Sequence, residues 1–125
     1  MENKEIAIQL SGVKKMYLTS VDKIGDYAFA KTPLTKVNLK DNAVIGKYAF
    51  AYCENLKEVN YLSLVSYIDD GAFFGTALQE VALGKAEYVG DYAFGQSAVE
   101  SVRCSDKLKK LGENPFYGCK IASFG

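Results

Sequence analysis

Histidine is missing from the chain altogether. That removes the side chain most often used as a general base, and the commonest metal ligand with it. Catalysis and a metal centre are therefore not expected, and no other cofactor is. Charge of one sign is missing as well, since fifteen basic residues are balanced by fifteen acidic ones. Without a basic field there is little to hold a phosphate backbone, so nucleic acid is a poor partner. No apolar run approaches the roughly 18 residues needed to cross a bilayer, and no membrane insertion is expected. The first ten residues carry Glu2, Lys4 and Glu5 before a short alternation of Ile6, Ile8 and Leu10. They lack the basic start and continuous apolar stretch of a secretory signal. What remains, 49% apolar and 24% charged over 125 residues, is the composition and size of one folded domain.

Within that domain the sequence repeats itself. The stretch IGDYAF at 24–29 recurs as IGKYAF at 45–50, IDDGAF at 68–73, VGDYAF at 89–94 and LGENPF at 111–116. The phenylalanines at 29, 50, 73, 94 and 116 are spaced by 21, 23, 21 and 22 residues. A second block follows each first one: Leu34, Val37 and Leu39; Leu56, Val59 and Tyr61; Leu78, Val81 and Leu83; Val99, Val102 and Cys104. Val13, Met16 and Leu18 fit as the tail of an earlier unit, and the second block of the last copy runs out at Ile121 and Phe124.

A unit of about 22 residues cannot close a core around its own apolar groups, whereas stacked units turn each column into a continuous buried ladder. The expected fold is thus a repeat solenoid of about five units. Residues 1–12 form an N-terminal cap and 13–23 a partial unit. Full units span 24–44, 45–67, 68–88 and 89–110, and 111–125 is truncated. The second half of the second block alternates apolar and polar, which places short strands at Lys15–Leu18, Lys36–Leu39, Glu58–Tyr61, Glu80–Leu83 and Ser101–Cys104. Units related by translation must pair these strands in parallel. The IGxxAF stretch is expected to form turns or short helical pieces on the opposite side.

The pattern I-G-x-x-A-F-x-x-C/T-x-x-L-x-x-V-x-L resembles the BspA-like class of leucine-rich repeats, and the likeness runs from Val13 to Phe124. The resemblance implies a curved solenoid of the type found largely in bacterial surface proteins, often exported, and used in adhesion or other protein recognition. It implies a cell-surface or secreted location and a protein partner. The chain departs from the pattern in a final repeat that stops mid-unit, and in having neither export signal nor anchor.

Candidate sites divide by column. Cys53 and Cys119 share a position with Thr32, Thr76 and Ser97, while Cys104 falls in the strand column of Leu18, Leu39, Tyr61 and Leu83. All three are read as small buried hydrophobes. A Cys53–Cys119 bridge would have to span about 14 Å, three strand spacings, against a limit of about 7 Å between Cα atoms. Asp26, Asp70, Asp91 and Glu113 form one column, read as a solvated surface and not a cation site. Tyr27, Tyr48 and Tyr92 form another, interrupted by Gly71 and Asn114, and are read as shielding the ladder edges.

The outward strand positions are the expected recognition surface: Tyr17, Asn38, Asn60, Ala82 and Arg103 in one column, Lys15, Lys36, Glu58, Glu80 and Ser101 in the next. They vary where the core is monotonous. The competing expectation is a structural spacer that self-associates end to end through Ile121 and Phe124, which no following unit covers.

Overall fold

The computed structural model describes residues 12–125, so the N-terminal cap expected from Ile6, Ile8 and Leu10 lies outside the described residues. Two series of short strands alternate along the chain. The longer ones are β1 (Lys15–Tyr17), β3 (Lys36–Asn38), β5 (Glu58–Asn60), β7 (Glu80–Ala82) and β9 (Ser101–Arg103). Between them come two-residue strands: β2 (Lys23–Ile24), β4 (Val44–Ile45), β6 (Tyr67–Ile68), β8 (Tyr88–Val89) and β10 (Lys110–Leu111), with β11 (Ser123–Phe124) closing the chain. A single 3-10 turn spans Leu62–Leu64. The chain is a parallel β-solenoid whose units pair in register, for example Val37 with Val59 and Ile45 with Ile68.

The expected strands are present, each one residue shorter than anticipated. The IGxxAF stretch opens with a two-residue strand and then forms the expected turns, with no helical piece. Ile24, Ile45, Ile68, Val89 and Leu111 end the strands of a second sheet, ordered β10-β8-β6-β4-β2. Beyond each of these strands the backbone itself excludes a helix. Tyr27, Tyr48, Gly71, Tyr92 and Asn114 all take left-handed conformations, with φ of 59, 54, 62, 56 and 49°. Lys31, Tyr52, Gly75, Gln96 and Gly118, four residues further on, do so again. Left-handed residues at that spacing cannot belong to a right-handed helix.

For residues other than glycine such a conformation costs on the order of 1 kcal/mol or more. Inter-unit hydrogen bonds hold it in place: Tyr27, Phe29 and Lys31 donate their N–H groups to the carbonyls of Lys47, Ala49 and Ala51, at 2.9, 2.8 and 2.8 Å. The same three-bond pattern joins each of the next three units to its successor.

The core is a set of ladders. Phe29, Phe50, Phe73, Phe94 and Phe116 stack face to face, with ring centroids 5.3–5.5 Å apart and near-parallel planes. Phe50, Phe73 and Phe94 are wholly buried. The alanines before four of them, Ala28, Ala49, Ala72 and Ala93, are buried too.

The column of small polar residues has a specific job. Thr32, Thr76 and Ser97 donate their hydroxyls to the carbonyl of the phenylalanine three residues earlier, at 2.9, 3.0 and 2.6 Å. Cys53 instead donates its thiol to the carbonyl of Phe29 in the unit below, at 3.0 Å.

The acidic column is structural as well as solvated, which adds to the reading from sequence. Asp26, Asp70 and Asp91 each accept, at 2.8–2.9 Å, the backbone N–H of the equivalent residue one unit on: Lys47, Asp91 and Glu113. The carboxylate lies under the glycine of that next unit; a Cβ on Gly46 would fall 2.6 Å from Asp26 Oδ1. Lys47 breaks the series because its side chain has no acceptor. The amide left over, that of Asp70, is taken at 2.7 Å by Asp69, which stands where the other units have glycine. Lys47 meanwhile reaches Asp70 Oδ2 at 3.8 Å.

Two stability measurements test these assignments. Phe73→Ala should lose about 3–5 kcal/mol in urea denaturation, through the cavity opened mid-ladder; a loss below about 1 kcal/mol would remove this ladder from the core. Asp69→Ala should lose about 1–2 kcal/mol by orphaning the Asp70 amide. Combining Lys47→Asp with Asp69→Gly should recover most of that loss, and failure to do so would mean that Asp69 does not stand in for the missing acceptor.

Candidate strand-face site

The outward residues of the longer strands lie side by side as their register dictates. Lys15, Lys36 and Glu58 align across β1, β3 and β5, as do Tyr17, Asn38 and Asn60. Glu80 aligns with Ser101, and Ala82 with Arg103, across β7 and β9. Lys36 pairs with Glu58 at 3.7 Å, and Asn60 donates its side-chain amide to Asn38 Oδ1 at 2.8 Å. Tyr17 is 64% exposed at the β1 edge. Glu80 and Arg103 are exposed, and neither has an ion-pair partner among the described residues.

This face is not continuous. The ladder β1-β3-β5 ends at β5, and a separate ladder begins at β7. Leu18, Leu39 and Leu83 donate their N–H groups to Asn38, Asn60 and Arg103 at 2.8, 3.1 and 2.9 Å, but Tyr61, the equivalent residue, makes no such bond. Likewise Thr35, Lys57 and Glu100 donate to the preceding unit, and Gln79 does not. The turns close again on either side, through Ala77 N–H to Leu56 at 3.0 Å and Lys85 N–H to Ser63 at 2.8 Å.

The cause lies in the longest unit, with its 23-residue spacing from Phe50 to Phe73. By column Tyr61 should point inward with Leu39 and Leu83. Instead it takes φ of 69° and is 54% exposed, and Leu62 is buried in its stead. Against the 21-residue units it carries two more residues, one between Phe50 and Leu56 and one between Tyr61 and Ile68. After Tyr61 the chain turns through Leu62–Leu64, and β5 is left apart from β7. Between them is a cleft of about 360 Å³, lined by Glu58, Asn60, Tyr61, Glu80, Ala82 and Arg103 among others.

A second cluster is one that reading by columns misses. On the second sheet Tyr67 and Tyr88 stack with centroids 4.3 Å apart, and Lys110 Nζ lies 5.8 Å from the Tyr88 ring centre. Partial desolvation and then the carboxylate of Asp70 hold the Tyr88 hydroxyl above its ordinary pKa. The one legible signal is their position directly before Ile68 and Val89. The tyrosines of the turn column divide: Tyr27 stacks on Tyr48 at 5.3 Å, and the Tyr48 ring covers Gly71, while Tyr27 is exposed.

At the C-terminal end Ile121 packs against the core half-buried, whereas Phe124 is 59% exposed and meets Phe116 edge-on at 6.1 Å. Leu111 is exposed beside them.

The three cysteines are free. Only Cys53 is fully buried, and burial raises its pKa. Cys119 is half-buried and Cys104 exposed, so the expectation of three buried thiols fails for both. Cys104 follows β9 and donates its N–H to the carbonyl of Gly125 at 2.7 Å, while its side chain stays exposed. Among the described residues no group of three or more acidic, cysteine or histidine side chains is placed to hold a metal. No helix among them is long and apolar enough to cross a membrane.

Stacked parallel units with phenylalanine and leucine ladders define a leucine-rich repeat solenoid. More narrowly, the chain belongs to the BspA type leucine rich repeat family, whose model matches residues 22–125 in six copies. No curated protein and no solved structure matches it.

The thiol environments give a direct check on these placements. Under native conditions Cys104 should react first with a thiol reagent, Cys119 more slowly, and Cys53 only on unfolding. Rapid modification of native Cys53 would contradict its burial.

Proposed function

We propose that this solenoid is a non-catalytic recognition or adhesion module of a bacterial surface or secreted protein, and that it binds a protein partner through its strand face. Family membership supports a surface repeat that works by protein interaction. The observation that carries the strand-face reading is the contrast across each strand. Val37, Val81 and Val102 are buried and nearly invariant in type, while the outward columns run through Tyr17, Lys36, Asn38, Glu58, Asn60, Glu80 and Arg103. A rigid scaffold presenting varied polar groups, two of them charged and unpaired, suits recognition.

A second reading, a spacer that self-associates end to end, is favoured by the exposure of Leu111 and Phe124 where the second and third sheets end on β10 and β11. Open strand edges flanked by apolar side chains are the ordinary place for one chain to meet another.

The two readings part on which residues matter. Binding of the purified domain to a panel of extracellular proteins, and to itself, is measured beside its Arg103→Glu and Phe124→Asp forms. Recognition through the strands predicts a partner that is lost by at least about tenfold in Arg103→Glu, which removes a charge-assisted contact without touching the core. Self-binding abolished by Phe124→Asp and indifferent to Arg103→Glu would replace that reading with the spacer.

A further inference from the structure

The break between β5 and β7 leaves two strand edges facing each other across a cleft, an opening found nowhere else along the longer strands of the described residues. Backbone N–H and C=O groups that lack protein partners must be met by water or by another chain. On these edges they alternate at strand spacing, a pattern that another main chain can match. The side chains around the cleft add a polarity along it. Glu58 and Glu80 sit in one row; Glu58 already has Lys36, but Glu80 has no ion-pair partner among the described residues. In the adjacent row Ala82 leaves room between Asn60 and Arg103, whose guanidinium is also unpaired. Successive rows on one face of a strand are two residues apart.

We propose that this cleft receives a short extended segment of a partner polypeptide. Its main chain pairs with the bare edges of β5 and β7. It places a basic side chain beside Glu80 and, two residues away, an acidic one beside Arg103. The closed turns at Ala77 and Lys85 confine the paired stretch to about five residues. The cleft volume lies within the range of roughly 300–1,000 Å³ typical of ligand sites. Main-chain pairing of this kind supplies affinity, and the side-chain rows supply selectivity. The site comes from the longest unit and not from the repeat itself. This inference rests on the strand-face reading above, and narrows it to one place.

The test begins with amide hydrogen exchange in the free domain. The N–H groups of Tyr61, Gln79 and Glu80 should exchange at least about tenfold faster than those of their equivalents Leu39, Glu100 and Ser101, which are hydrogen-bonded. Equal protection would mean that the edges are closed, and would overturn the proposal. A displayed library of random heptapeptides is then selected on the domain, with soluble Ala82→Trp protein as competitor. Ala82 is exposed, so that variant fills the cleft without entering the core, and its melting temperature, expected to match that of the parent, checks that it folds.

Enriched peptides should carry basic and acidic residues two apart and should slow exchange of the three amides. They should lose at least about tenfold in affinity for Arg103→Glu, a loss partly restored when the peptide's acidic residue is made basic. No enrichment over the competitor, or peptides that leave those amides unprotected, would overturn the proposal. A protein partner lost in Arg103→Glu but bound normally by Ala82→Trp would leave the strand-face reading standing and remove this one.

Discussion

The phenylalanine ladder sets a repeat distance of 5.3–5.5 Å between ring centres, and neighbouring backbones must keep step with it at a strand spacing of about 4.8 Å. Near-parallel rings with centres that far apart are offset along their faces, the stacked arrangement that aromatic pairs prefer. Once that spacing holds, each backbone amide in a turn finds its acceptor one unit away. The left-handed residues are then tolerated, because each turn is fixed by the next and not by its own propensity. Stability in such an array is a sum of contacts between neighbours. A defect in one ladder is therefore felt locally, as the split between β5 and β7 is, while bonds on either side of it re-form.

Reading by columns finds the fold because translation copies every side-chain requirement. The valines and leucines of the longer strands and the five phenylalanines are legible for that reason. What escapes is whatever depends on backbone conformation. A strand of two residues such as Val44–Ile45 shows no periodicity, so the second sheet cannot be seen. A tyrosine in a left-handed conformation looks like any other tyrosine, so Tyr27 and Tyr48 announce neither their turns nor the loss of a helical piece. Tyr61 misleads for the related reason that it occupies a leucine column by count. Only the longer spacing around it hints that the count slips. Cys104 fits its column as well, yet it is exposed, so membership of a column does not by itself bury a residue.

The candidate recognition surface is legible as a pair of columns, although its shape is not. Asn38 and Asn60 turn toward each other, and Lys36 and Glu58 pair, so part of the outward face is already satisfied within the chain. Glu80 and Arg103, charged and without ion-pair partners among the described residues, lie on the other side of the split. Sequence alone distributes the candidates evenly over five strands; folding joins Lys36 to Glu58 and Asn38 to Asn60 and sets Glu80 and Arg103 apart across the split.

Repeat arrays are commonly pictured as interchangeable modules. The substitution of Lys47 into the acidic column shows where that picture stops for this chain. Its consequence falls not on its own unit but on the amide of Asp70 in the next, and is met by Asp69 in that unit. Units 45–67 and 68–88 therefore carry matched halves of one solution. Duplicating the first without the second would place Lys47 beneath a unit with glycine at that position and strand an amide. Such linked pairs limit the points at which an array like this can be lengthened, shortened or recombined, however uniform its ladders.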